Sequence, residues 1–180
     1  MNLKQIDPSA FSIQPHDLFD NKTLLLTSGD FSQGDFNMMT IGWGSMGTMW
    51  NKPYVVVAVR PTRHTYLFME KYPDFTVTAF PIAHKKALNI LGTRSGRDVD
   101  KKAATELTAI AATKVASPTF AQAELSIECV KIYWQDLDPS HFLDPVIENS
   151  YPKKDYHRIY YGEIVAVQGT DDYIKSYFKV

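Results

Sequence analysis

Residues Gly42 to Gly47 read GWGSMG and match the pattern G-x-G-x-x-G. In many dinucleotide-binding proteins this spacing forms a tight turn into a helix, whose N-terminal N–H groups hold a pyrophosphate. Here only the six residues TMWNKP precede Tyr54, where the apolar run YVVVAVR begins, and a parallel crossover needs about a dozen or more. The carboxylate expected about 20 positions on is also missing, because no Asp or Glu lies between Gly47 and Glu70. The pattern therefore does not indicate a dinucleotide fold.

Other reactive residues show no catalytic spacing. The five histidines, His16, His64, His84, His141 and His157, contain no H-x-x-x-H pair, and a single cysteine cannot build a structural zinc site or an intrachain disulfide. Cys129 lies in an apolar, strand-like context, which is typical of a buried small side chain. No G-x-S-x-G elbow is present. We expect neither a metal centre nor a nucleophilic side chain.

Length and composition predict one globular domain over residues 1–180, with 44% hydrophobic and 22% charged residues. Nineteen basic and twenty acidic residues give a net charge of -1, which argues against a nucleic-acid partner. No apolar run reaches the length of a membrane span, and the first residues lack a basic region followed by an apolar one. We expect no membrane partner and a cytoplasmic location.

The elements that would position a site follow from hydrophobic periodicity. Strands are predicted over 22–28, 38–43, 54–60, 75–80, 123–137 and 157–169. Short helices are predicted from a cap at Thr62 to Pro73, over 83–91 with Gly92 as the C-terminal cap, and near Lys101 to Leu107. Residues 55–59 are apolar without alternation, which predicts a strand covered on both faces, for example by a second subunit. The tail over 171–180 fits a helix or a segment packed on a partner. Six or seven strands with two or three helices indicate a mostly antiparallel barrel.

Residues 37–80 combine several short motifs in a specific order. An Asn-x-Met-Thr segment leads to a Trp with glycines, then to KPYVVVAV, to RPTRHTY and to the strand FTV. Further on come SGRDVDK, 95–101, and HRIYYGEIVAV, in which a His stands five positions before a Gly-Glu pair. Taken together, residues 20 to 168 resemble the flavin reductase-like family of FMN-binding split barrels. Tyr156 stands where that family usually has an Asp before the His.

The resemblance implies a mainly β fold, a six-stranded antiparallel Greek-key split barrel with short helical insertions. It also implies a homodimer with FMN near the subunit interface. The expected activity passes hydride from NAD(P)H to flavin, as a flavin reductase or a flavoredoxin-like electron carrier, and the cofactor supplies the chemistry. Two alternatives stay open: a flavin-binding protein without reductase turnover, and a split barrel that binds another flat cofactor such as haem.

The same resemblance assigns two polar groups to phosphate and ribityl oxygens. The first lies within one six-residue turn and the second in the later loop: Arg60, Thr62, Arg63 and Thr65, then Ser95, Gly96 and Lys101. Cations and hydroxyl or N–H donors are what a phosphate dianion requires. Arg63 and Lys101 are the leading candidates. Without the resemblance, a solvated cap at a strand end would be the favoured interpretation of the first group, and the resemblance reverses that preference.

The flavin ring is expected to lie along Asn37, Met39, Thr40 and Trp43. Because strand side chains alternate between faces, about half of these should point away from the ligand. Trp50 fits a wall of the site, a dimer contact or ordinary packing. His157 fits a contact with the flavin or the nicotinamide, or a partly exposed strand histidine.

Overall fold

The computed structural model describes residues 3–175 as strands with a few short helical segments. The two α-helices are α1, His64–Lys71, and α2, Lys85–Thr93. The strands are β1, Lys4–Ile6; β2, Leu24–Asp30; β3, Asp35–Ile41; β4, Gly44–Met49; β5, Lys52–Val59; β6, Asp74–Ala79; β7, Ala109–Ile110; β8, Thr119–Phe120; β9, Leu125–Asp136; and β10, Arg158–Gly169. Seven of these contain six residues or more, in line with the six or seven strands predicted, although none of the predicted ranges covers β4. β1, β7 and β8 have only two or three residues and give little periodicity to read.

The main sheet is antiparallel and runs in the order β3-β2-β6-β9-β10-β5-β4, with β1 also paired to β10. Its two end strands, β3 and β4, are separated in the chain only by Gly42 and Trp43. A sheet whose opposite edges are joined by two residues has to curve back on itself, so the strands form a barrel that stays split between β3 and β4. The predicted mainly antiparallel split barrel with helical insertions is thus confirmed.

The barrel interior is filled from every long strand, with Leu24, Val57, Phe75 and Ile127 fully buried. A second apolar cluster lies between the sheet and α2, where Leu88 and its helical neighbours pack on β2 and β3. All residues of 55–59 are at most 8% exposed in a single chain. The covering subunit expected for this strand is therefore not needed to bury it.

GWGSMG forms the corner where the chain passes from β3 to β4. A Cβ added at Gly44 would lie 2.3 Å from the Val56 carbonyl oxygen and 2.5 Å from Cε1 of Phe19. Only glycine permits this close approach between strand backbones. The corner is followed by a two-residue hairpin turn, in which Trp50 and Asn51 have φ values of 53° and 58°.

The predicted helix caps are wrong in two places. Thr62 does not cap α1, because Arg63 occupies the N-cap position and the Thr62 hydroxyl donates to Asp155 Oδ2 at 3.2 Å. Gly92 lies inside α2, and Arg94 is the residue at its end. A Cβ at Gly92 would fall 2.2 Å from Thr40 Oγ1, so this glycine lets α2 approach β3. The predicted end of α1 before Pro73 is confirmed by the C-cap at Tyr72.

The third predicted helix, Lys101 to Leu107, is also wrong, since this segment consists of turns and bends. Asp100 Oδ1 accepts from the Lys102 backbone N–H at 2.9 Å, a local bond that competes with helix formation. At the C-terminus, Asp171–Tyr173 form one helical turn and Ile174 pairs with Phe11. The rest of the predicted tail, 176–180, lies outside the described residues.

Among residues 3–175, no helix has both the length and the apolar character to cross a membrane. The same part of the chain contains no group of three or more His, Cys, Asp or Glu placed to hold a metal ion. Cys129 is fully buried in β9, and burial raises the pKa of its thiol.

Candidate functional site

The start of α1 and the loop after α2 enclose a small polar cavity of about 90 Å³. We call it the inner cavity, and it is lined by Thr62, Arg63, His64, Thr65, Thr93, Arg94, Ser95, Gly96 and Lys101. The two polar groups predicted from the sequence, 60–65 and 95–101, therefore come together, with Arg60 as the exception. Both segments hold side chains that carry positive charge or hydroxyl groups.

Two cations of the inner cavity bind backbone carbonyls instead of carboxylates. Arg63 donates from Nη2 to the Gly92 oxygen at 2.6 Å, and Lys101 Nζ donates to the Met38 and Leu91 oxygens at 2.8 and 2.7 Å. Neither forms an ion pair with a carboxylate in the described part of the chain. Burial and then the charge of Arg63 lower the pKa of Lys101 to about 8. The cavity thus concentrates uncompensated positive charge.

The hydroxyl groups of Thr65 and Ser95 are free to donate into this cavity. Thr65 Oγ1 accepts from Asn37 Nδ2 at 3.0 Å, and Ser95 Oγ accepts from the Arg97 backbone N–H at 3.2 Å. Each hydroxyl therefore keeps its own proton for a further acceptor. His64 Nδ1 is buried and has no hydrogen-bond partner among residues 3–175. An anion with several acceptor oxygens would match these groups.

A second depression of about 240 Å³, which we call the groove, lies where β3 meets β4. Its lining includes Met39, Thr40, Trp43, Arg60 and His157. The rings of Trp43 and His157 are 5.0 Å apart at 51°, and Trp43 is 52% exposed. The groove consequently offers flat aromatic surface beside strand backbone.

His157 is almost fully buried next to Tyr151. Its Nδ1 lies 2.8 Å from the Tyr151 hydroxyl oxygen. Burial, with a smaller contribution from the nearby charge of Arg60, lowers the pKa of His157 to about 4. The imidazole is therefore neutral at neutral pH, and one of its nitrogens is held by Tyr151.

Arg60 interacts with three other residues of the protein. It pairs with Asp155 at 2.9 Å, donates to the Ser150 oxygen at 2.7 Å and lies 4.9 Å from the centre of the Tyr151 ring. Asp155 also accepts the hydroxyl of Thr62. Sequence reasoning missed Asp155 and Tyr151. The sequence did carry a signal for Asp155: it lies two positions before His157 and directly before Tyr156, the position at which the resemblance places an Asp.

The structure brings together all but one of the predicted site residues. The groove and the inner cavity are adjacent because Lys101 binds the Met38 oxygen, next to Met39, and Gly92 contacts Thr40. Asn37 joins the set through Thr65. Trp50 stands apart, in the turn between β4 and β5, where its ring lies 5.9 Å from Tyr133 and 6.2 Å from Tyr161.

A split barrel with a cationic, hydroxyl-lined cavity beside an aromatic groove defines a candidate nucleotide-binding protein. Residues 17–178 match the family model described as a flavin reductase like domain. Because this match covers most of the chain, the protein belongs to the flavin reductase-like family.

Solved structures with the same fold include a flavoredoxin from Methanosarcina acetivorans, with 22% identity, a TM-score of 0.63 and coverage of 86% of this chain and 71% of that one. An FMN-binding domain of a flavin reductases-like enzyme from Shewanella baltica has 17% identity, a TM-score of 0.67 and coverage of 93% and 77%. An NADH:FAD oxidoreductase from Streptomyces globisporus has 15% identity, a TM-score of 0.61 and coverage of 84% and 77%. At these identities the likeness shows the fold.

Proposed function

We propose that this protein binds FMN and uses it to oxidise NAD(P)H, as a flavin reductase or a flavoredoxin-like electron carrier. The observation that carries the proposal is the inner cavity, in which Arg63 and Lys101 have no carboxylate partner among the described residues. Family membership and similar structures named for FMN binding support the same cofactor. In such a complex, acceptance and onward transfer of hydride equivalents are supplied by FMN.

The residues of the inner cavity fit a phosphate dianion. Arg63 and Lys101 would hold its charge, while the Thr65 and Ser95 hydroxyls would donate to its oxygens. The unpartnered His64 Nδ1 would gain a partner when its N–H points inward. Thr62 and Arg60 would act indirectly, because both are held by Asp155.

The groove would hold the flat part of the cofactor. Trp43 and the neutral His157 would form one wall and exclude water there, and the β3 backbone near Thr40 would face the polar edge of the ring. Tyr151 would keep His157 in place through its hydroxyl. No side chain of the groove is required as a nucleophile.

We also propose that the protein works as a homodimer in the cytoplasm, where reduced nicotinamide nucleotides are available. β4 is one of the two end strands of the sheet, and Trp43 just before it, Met49 at its end and Trp50 just after it expose apolar side chains. A second copy would cover this edge and close the groove beside Trp43. Light scattering on the purified protein tests the dimer: a monomeric mass with FMN present would contradict it.

The function is tested with the purified protein and both nicotinamide nucleotides. We expect a flavin spectrum, or quenching of added FMN fluorescence, together with NADH or NADPH oxidation that depends on FMN. Binding of FMN without turnover would leave a flavin-binding protein, and binding of haem instead would leave the other alternative. Protein that binds no FMN in titration would refute the proposal.

A further inference from the structure

The two ring nitrogens of His157 have different surroundings. Nδ1 lies 2.8 Å from the hydroxyl oxygen of Tyr151. Nε2 forms no hydrogen bond within residues 3–175 and, unlike Nδ1 of His64, it is not sealed from solvent. Because His157 lines the groove, Nε2 is the nitrogen that a ligand bound there can reach.

Hydrogen-bond satisfaction decides which atom carries the proton between Tyr151 and His157. Burial raises the pKa of Tyr151, so its hydroxyl keeps its proton. Within the described part of the chain, Nδ1 of His157 is the one hydrogen-bond partner of this hydroxyl. If Nδ1 also carried a proton, the buried hydroxyl would have no acceptor, and a buried donor without a partner is costly. Nδ1 therefore accepts, and the single proton of the neutral imidazole lies on Nε2.

The ring of Tyr151 is held in place by its neighbours. Phe142 stacks on it with 6.0 Å between ring centres, and Tyr156 packs against it at 4.9 Å. The guanidinium of Arg60 lies 4.9 Å from the ring centre, a distance at which a cation attracts an aromatic face. These contacts keep the Tyr151 hydroxyl beside His157 before any ligand binds.

We propose that Tyr151 is a positioning residue that fixes His157 in the tautomer with its proton on Nε2, so that the groove presents an N–H donor to a carbonyl oxygen of its ligand. This rests on the proposed flavin function. A ring carbonyl of FMN and the carboxamide of a nicotinamide nucleotide both provide such an oxygen. In the opposite tautomer Nε2 would be an acceptor and would repel the same oxygen. The Tyr151 hydroxyl thus selects which ligand atom the groove accepts.

Nitrogen NMR of the apoprotein with isotope-labelled histidine reads the tautomer directly, and loss of the signal in His157→Gln assigns it. We expect His157 to carry its proton on Nε2 at neutral pH in the wild type. In Tyr151→Phe, Nδ1 loses its donor, and both nitrogen shifts should move toward those of a tautomer mixture. Tyr156→Phe is the matched control, because the Tyr156 hydroxyl donates to Glu148, and it should keep the wild-type spectrum. A proton on Nδ1 in the wild type, or equal spectra for wild type and Tyr151→Phe, would overturn the inference.

The role toward the ligand is tested by fluorescence titration of FMN and by the KM for NADH and NADPH at saturating FMN. If a flavin carbonyl is the acceptor, the dissociation constant of FMN rises about two- to tenfold in Tyr151→Phe. If the nicotinamide carboxamide is the acceptor, the KM rises by a similar factor instead. Tyr156→Phe should change neither value. Unchanged values in Tyr151→Phe would overturn the donor role while leaving FMN binding intact. A wild-type protein that binds no FMN would refute the proposed function, whereas the NMR of the apoprotein tests the tautomer independently of it.

Discussion

Replacing Arg63 with Ala should weaken FMN binding about 10- to 100-fold. The guanidinium uses one N–H for the Gly92 oxygen and has no carboxylate partner among the described residues, so its other donors are available to a phosphate. A hydrogen bond to a charged group contributes about 1.5–3 kcal/mol, and each 1.4 kcal/mol or so is a factor of ten in affinity. Arg63→Lys keeps the positive charge but loses the planar guanidinium, so its affinity for FMN should lie between those of the wild type and Arg63→Ala.

Arg63→Ala should also change how the affinity for FMN depends on pH. Arg63 is, after burial, the second cause that lowers the pKa of Lys101 to about 8. In the wild-type apoprotein Lys101 loses its proton as the pH rises through that value, so FMN binding should weaken there. In Arg63→Ala the pKa of Lys101 moves upward, and the weakening should shift to higher pH.

Flavin fluorescence titrations of the apoprotein on both sides of pH 8 measure both effects. Lys86→Ala is the matched control, because it removes one exposed positive charge of α2 that lies outside the inner cavity. It should leave the dissociation constant within about twofold of the wild type, as expected for a screened surface charge. Equal affinities for wild type, Arg63→Ala and Lys86→Ala would remove Arg63 from the phosphate site.

Further predictions concern stability. Folding lowers the pKa of Lys101 from 10.5 to about 8, so between these pH values the unfolded chain binds more protons than the native state. The free energy of unfolding of the apoprotein should therefore rise with pH in this range. Urea denaturation should show the rise in the wild type and not in Lys101→Met. The pKa of His157 falls from 6.5 to about 4, so stability should decrease as the pH falls through that window, less in His157→Gln; identical urea midpoints across the window would contradict the buried, neutral imidazole. Gly44→Ala places a Cβ 2.3 Å from a backbone oxygen and should cost about 1–3 kcal/mol, whereas Gly47→Ala meets only the Tyr54 side chain at 3.2 Å or more and should cost less. Equal losses in thermal unfolding would show that the corner does not depend on Gly44.

The architecture was readable from the sequence because strand signals are local. Apolar runs such as 55–59 and the two long patterns before and after the 138–156 segment marked the long strands with small boundary errors. The glycine motif was correctly separated from a dinucleotide fold by counting the residues before Tyr54. The sequence could not show why Gly44 has to be glycine. Its backbone packs closely against Phe19, which is distant along the chain, and against Val56 in the neighbouring strand β5.

The two predicted helix caps were wrong for a related reason. Thr62 has the right type for an N-cap, but its hydroxyl is taken by Asp155, 93 residues further on. Gly92 has the right type for a C-cap, but it is used for contact with Thr40 in β3. Residue type predicts what a side chain can do, whereas its tertiary partner decides what it does.

In the candidate site, too, residue types were visible in the sequence whereas their tertiary partners were not. Segments 60–65 and 95–101 each look polar in the sequence, and the resemblance to a family was needed to place them together. For Trp50 the residue type left a wall of the site, a dimer contact and ordinary packing open; the left-handed turn at 50–51 places its ring beside Tyr133 and Tyr161, away from the groove of the same chain.

Lys101 and Arg63 also link the site to the stability of the fold. Lys101 joins β3 to the end of α2 through two carbonyls, and Arg63 holds the Gly92 carbonyl of the same helix. Each lies in a positive environment that lowers its pKa, because burial is compounded by the other's charge or by that of Arg60. An anion bound between them would relieve this repulsion at the point where β3, α1 and α2 meet. Ligand binding and the docking of both helices on the barrel should therefore be coupled, so that saturating FMN stabilises the native state by RT ln(1 + [FMN]/Kd) and protects the amides of α2 from hydrogen exchange more than those of β9.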